Sequence, residues 1–112
     1  MSTFPERDWK VFRELHALAL ERYCTGVVED VKRVLSEPGA SAHQRYRAVH
    51  DTLGKHDPEI ARAFDDVRRS TAHLQIIAIC RLGLLRPDEL ARFGDETRAH
   101  VERTLDALRR RG

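Results

Sequence analysis

Two cysteines, four prolines and six glycines in 112 residues leave little with which to build a disulfide scaffold, a flexible linker or a turn-rich sheet. Cys24 and Cys80 each fall within a predicted helix and neither has a CxxC partner, so disulfide and metal chemistry are not expected of them. They read as small apolar residues for a core. Long apolar runs are missing too: no stretch approaches the roughly 18 residues a membrane-spanning helix needs. The start, Met1 to Arg7, has neither the basic opening nor the apolar stretch of a secretory signal, and a cytoplasmic location is the expectation.

Charge of one sign is also lacking. Twenty basic residues face eighteen acidic ones, a formal net charge of +2, so no strong long-range field is implied. An obligate nucleic-acid binder is usually more lopsided. The chain has no Glu-x-x-His pair of the di-iron bundles, no His-Glu-x-x-His, no glycine-rich phosphate loop and no nucleophile elbow. No cofactor and no enzymatic activity are expected on these grounds.

What is present is helical periodicity. Leu, Ile, Val and Phe make up a quarter of the chain, more than disordered sequences carry. Thr3 and Glu6 fit a capping box that opens a first helix. Trp9, Phe12, His16, Ala19, Tyr23, Val27, Val31 and Val34 then recur at three- and four-residue steps to about Ser36. Leu15, Leu18, Leu20, Cys24, Val28 and Leu35 widen that stripe well beyond a coiled-coil seam. Ser41 and Gln44 form a second box before Tyr46, Val49, His50 and Leu53, and Gly54 is expected to end that helix. Asp57-Pro58 then predicts a restart, and a third helix is expected from about Pro58 to Leu82, stopped by Gly83 and Leu84. A short helix begins at Pro87 and a last one at Asp95. No period-two stretch lies between turn signals. The expectation is one all-α domain over residues 1–112, a bundle of about five helices, two long (about 4–36 and 58–82) and three shorter.

The third helix is apolar nearly all round in its second half. A helix without a polar face must be covered on every side. Either it is the central helix of the chain's own bundle, or its uncovered face pairs with a second copy. The second reading places Leu74, Ile76, Ile77, Ile79, Cys80, Leu84 and Leu85 at a self-association interface and makes a homodimer the expected partner.

Groups that suggest chemistry have plainer readings beside them. His43 and His50 share a helix seven residues apart, and His50, His56 and Asp57 are placed to converge around the turn after it, yet Asp57 suits helix capping without any ion. His16 sits on an apolar stripe, where a hydrogen-bonded core histidine is the usual role. Asp65, Asp66, Arg68, Arg69 and Ser70, with His73 a turn on, resemble an active-site inventory, but the spacing is that of helix-surface ion pairs. The same three- and four-residue spacing recurs at Glu6–Lys10, Glu29–Arg33, Asp88–Arg92 and Asp106–Arg110. If there is an enzyme or metal site, Asp66 and His73, or His56, are the residues to test. Residues 87–111 look loosely like a helix-turn-helix ending in Arg109-Arg110-Arg111. Asp95 and Glu96 would meet phosphates at the start of its recognition helix, so nucleic acid is an unfavoured partner.

Arg7-Asp8-Trp9-Lys10 and the stretch Ile60 to Ser70 resemble those of small all-helical bacterial proteins, a group to which no activity is attached. The resemblance implies a bacterial, cytoplasmic setting and transfers no functional residue. The function expected from the sequence is a homo-oligomeric interaction or structural module, with a DNA-associated regulator as the alternative.

Overall fold

Residues 4–111 are described by a computed structural model, and five α-helices with no strand account for them. Helix α1 runs Glu6–Leu35, α2 Ala42–Phe64, α3 Ala72–Arg81, α4 Pro87–Leu90 and α5 Asp95–Arg111, with a single 3-10 turn at Arg69–Thr71 before α3. Thr3 of the first capping box lies outside the described residues. The second box is formed: the Gln44 backbone N–H donates to Ser41 Oγ at 3.0 Å, and the Ser41 N–H donates to Gln44 Oε1 at 2.7 Å.

The break expected at Gly54–Pro58 does not occur, and α2 passes through both residues. A proline inside a helix removes the bond to the carbonyl four residues back, which here belongs to Gly54, and crowds that carbonyl. Gly54 has open space around it, and the turn between the two residues is tied to α1 through His56. The neighbouring helix therefore overrides the local stop signals.

The chain breaks later. Asp65 and Arg68 are extended, and Asp66 takes a left-handed φ of 59° that aspartate tolerates better than most residues. Gln75 on α3 donates to the Asp65 carbonyl at 2.7 Å and fixes the corner. The predicted helix over 58–82 is thus two helices, with Ile60 and Phe64 on α2 and the isoleucines on α3. The stop at Gly83 is as expected: its φ is 72°, its N–H donates to Cys80, and the Leu84 N–H reaches the Ile79 carbonyl.

Helices α1 and α2 form a long antiparallel hairpin. The shorter helices α3 to α5 cover only the half of it that holds the start of α1 and the end of α2. One buried cluster joins Phe4, Phe12, Leu15, Ala72, Ile76, Ile77, Phe93 and Val101; a second joins Ala19, Tyr23, Val27, Ala63, Phe64 and Ile79. Among the described residues no third helix contributes to the core beyond Val27, and the molecule is accordingly long, 57 × 30 × 25 Å. Its radius of gyration of 17.1 Å exceeds the value of about 13 Å typical of compact domains of roughly 100 residues. The molecule therefore has a head, where α3 to α5 pack on the hairpin, and an arm, where the hairpin stands alone.

Candidate functional site

Three of the residues expected at a self-contact are covered by the chain's own helices. Ile76, Ile77 and Ile79 are buried in the two core clusters, Cys80, Leu84 and Leu85 are half-buried, and Leu74 alone is well exposed, at 68%. Burial pushes the Cys80 thiol up to about 11, so it stays protonated at neutral pH.

The arm carries the largest concentration of exposed apolar side chains. Val28, Leu35, Tyr46 and Leu53 are all exposed, Tyr46 at 68%. Val27 and Val34 turn toward the seam with α2, and Val28 and Leu35 follow each by one residue, a rotation of about 100°. On α2, Arg45 and Thr52 are half-buried in the seam, and Tyr46 and Leu53 again follow by one. In an antiparallel pair a forward step on either helix turns to the same side. The four side chains therefore share one face, with the half-buried Val31 and Val49 between them. The opposite face of the hairpin is where the head docks: Arg22 donates to the Leu84 carbonyl and pairs with Glu89, both at 2.7 Å. Farther along that opposite face lie Arg33, Asp51 and Lys55, all exposed and charged.

Between arm and head sits a polar network of four residues. The Tyr23 hydroxyl donates to Glu59 Oε1 at 2.6 Å and lies 2.8 Å from His56 Nδ1, while His56 Nε2 lies 3.2 Å from Asp30 Oδ2. Burial, then the bond to Glu59, raises the Tyr23 phenol well above its usual range. Bonds from Arg33 and then His56 hold the Asp30 carboxyl below its usual range. His56 was singled out in the sequence, but its three partners were not. Tyr23, Val27 and Asp30 follow one another at helical steps on α1, and only the hairpin register brings them to Glu59 and His56.

Two further constructions fix the head. Asp8, 2% exposed, accepts from the Gly94 backbone N–H at 2.8 Å and from the Thr97 hydroxyl at 2.5 Å, placing a carboxylate at the positive end of α5. His73 stacks edge-on with His100, the ring centroids 4.7 Å apart, and with Phe4 at 4.8 Å; burial, then His100, lowers its pKa.

The other sequence candidates are dispersed. Asp66 and Arg68 pair with each other on the exposed corner, and Arg69 reaches Glu6 on α1 and lies over the Trp9 ring, so these residues are not one helix face. His16 Nε2 sits 2.9 Å from the Phe64 carbonyl, within the packed hairpin. His43 and His50 are exposed on α2 away from His56. Among the described residues no three His, Cys, Asp or Glu side chains gather as a metal would need. The predicted four-residue pairs are largely re-sorted: Arg33 pairs with Asp30, Arg92 with Glu14 across helices, and Arg109 with Asp106. In the C-terminal third, α4 is four residues long and Arg98 is engaged by Asp95. A groove of about 660 Å³ runs between the end of α3, α4 and α5, floored by Cys80, Leu85, Leu90 and Leu105.

No helix among the described residues is long and apolar enough to cross a membrane. No protein-family model, curated protein or solved structure matches this chain.

Proposed function

We propose that the protein is a homo-oligomeric interaction module whose head is a folded support and whose arm presents the contact. The observation that carries this reading is the single apolar face formed by Val28, Leu35, Tyr46 and Leu53 on the side of the hairpin away from α3 to α5. Neither side of the two-helix layer is covered in the arm; one carries the charged Arg33, Asp51 and Lys55 and the other is apolar, and a second hairpin laid on the apolar side completes a four-helix arrangement. Full burial of a fully exposed large apolar side chain is favourable by about 1.5–3 kcal/mol; Val28, Leu35 and Leu53 are already about half covered, so each has roughly half of that left to contribute against the cost of association. Tyrosine is among the residues most often dominant in such contacts, and Tyr46 is the most exposed of the four. The expected interface thus moves from α3, whose isoleucines serve the head, to the arm.

Sedimentation equilibrium and light scattering test the reading. The wild-type chain is expected to be dimeric at tens of micromolar, and Val28→Glu with Leu53→Glu is expected to be monomeric with unchanged helicity. A wild-type chain that stays monomeric at that concentration overturns it. So does a dimer that the two substitutions leave intact.

A further inference from the structure

Among the described residues, Gln75 is the one buried polar side chain of α3, 4% exposed beside Ile76. Its orientation is fixed by chemistry. A backbone carbonyl only accepts, so the amide nitrogen must face the Asp65 carbonyl, to which Nε2 donates at 2.7 Å. That leaves Oε1 on the other side of the amide, buried and without a donor. The other buried side-chain nitrogens and oxygens among the described residues have partners, and an acceptor left in this state is both unfavourable and rare.

The orphaned oxygen belongs to the wall of a cavity. A hollow of about 470 Å³ lies between the end of α2 and α3, within the size range of small-ligand sites. Asp65 and Gln75 line it at the corner, Leu74, Ile77 and Ala78 give it an apolar wall, and Arg62 and Arg81 stand at its other end. Both arginines also wall the next hollow along the same groove, with Glu59 and Leu82, so the two guanidinium groups keep company. Along α3 the six residues from Gln75 to Arg81 span about 9 Å.

Charge is divided along this length. Arg62 and Arg81 are exposed, and among the described residues neither has a carboxylate within ion-pair distance. The acids nearby are engaged elsewhere: Glu59 accepts from Tyr23, and Asp66 pairs with Arg68. At the corner end the Asp65 carboxylate is exposed and has no cation within ion-pair distance among the described residues.

We propose that this cavity binds a short apolar peptide with free termini, its ammonium group held by Gln75 Oε1 and the Asp65 carboxylate and its terminal carboxylate held between Arg62 and Arg81. An ammonium group carries three hydrogens, enough for the orphaned oxygen and the carboxylate together. Guanidinium groups match a carboxylate in charge and in shape. An extended chain advances about 3.3 Å per residue, so about three residues cover the distance from one end to the other. A simple anion would leave Gln75 unsatisfied, and a cation would meet two arginines. None of Val28, Leu35, Tyr46 and Leu53 lines the cavity, so the inference stands apart from self-association and holds for the isolated chain.

Nitrogen-15 NMR of the labelled chain, titrated with the tripeptide alanyl-leucyl-alanine, tests the site. Binding is expected to shift the Gln75 side-chain amide and the backbone amides of residues 61–66 and 71–81, with half-saturation at or below about 1 mM. Amidating the peptide's C-terminus is expected to weaken binding about tenfold, and Arg81→Gln to do the same with the free-acid peptide, since each removes one side of a single charge-assisted contact. The two changes together are expected to cost little more than either alone. Arg81 is exposed, and the variant is expected to keep the helicity of the wild-type chain. Absence of shifts at about 10 mM peptide, or shifts confined to residues outside the cavity, overturns the proposal. So does binding that amidation or Arg81→Gln leaves unaltered.

Discussion

The head and the arm are built from the same first two helices and differ in what covers them. In the head, Phe12, Leu15, Ile76, Phe93 and Val101 are each no more than 2% exposed, because α3 and α5 close over α1. In the arm, the continuing stripe of α1 meets α2 alone, and Val28 and Leu35 are about half exposed. Periodicity of the same quality therefore yields a sealed core in one half and an open face in the other. The apolar stripe determines which side of a helix seeks cover; the number of neighbouring helices determines whether it finds any.

Substitutions that remove the same kind of atoms from the two halves should break this contrast if it is false. Phe12→Ala is expected to cost about 3–5 kcal/mol of stability, while Leu35→Ala, in dilute chain, is expected to change it by no more than about 0.5 kcal/mol. Urea denaturation followed by circular dichroism measures both, and equal losses would show that arm and head are packed alike. Asp8→Ala, which strips the cap from α5 and leaves a buried hydroxyl and N–H unpaired, is expected to cost about 2 kcal/mol by the same measurement.

Acid sharpens the comparison without mutation of the core. Bonds from Arg22, then from the Arg86 backbone N–H, hold Glu89 at about 2, below the ordinary 4.5. Because the folded value lies below the unfolded one, the stability Glu89 contributes is complete above about 4.5 and is lost as pH falls toward 2. Melting temperature should fall through that window in the wild-type chain and fall less in Glu89→Gln. His73 has the same sign at higher pH. Its lowered folded value means that its contribution is complete above about 6.5 and declines as pH drops below it. The smallest expected effect is a gain: Gly54→Ala, with nothing near the site of the new methyl group, should stabilise α2 by up to about 1 kcal/mol, and Gly26→Ala should do the same for α1.

The helical class, the limits of α1 and the Gly83 stop were legible in the sequence because they depend on spacing and local chemistry. The second corner was not. Gly54 and Pro58 carry stronger stop signals than Asp65 to Arg68, and only the contacts of His56 with α1 show why the weaker site is where the chain turns. The candidate surface was half legible. Val28 and Leu35 already made the first stripe too wide for one partner, and Tyr46 and Leu53 formed a face on α2, but which face would stay bare depends on where α3 docks. The seven residues expected at a self-contact between Leu74 and Leu85 were read as needing cover; the sequence left open what provides it, and for Ile76, Ile77 and Ile79 it is the chain's own helices, while Leu74 stays exposed.

The carboxylate of Asp8 reaches across 86 residues of sequence to the backbone of Gly94. A hairpin of α1 and α2 can pair as soon as both have been synthesised, whereas the head cannot close until the last helix exists to receive that cap. Assembly should therefore be ordered in time, with the two-helix arm competent early and the support late. During that interval the apolar sides of α1 destined for α3 and α5 are as bare as the arm's outer face, and a nascent chain offers two sticky surfaces where the finished one offers a single one.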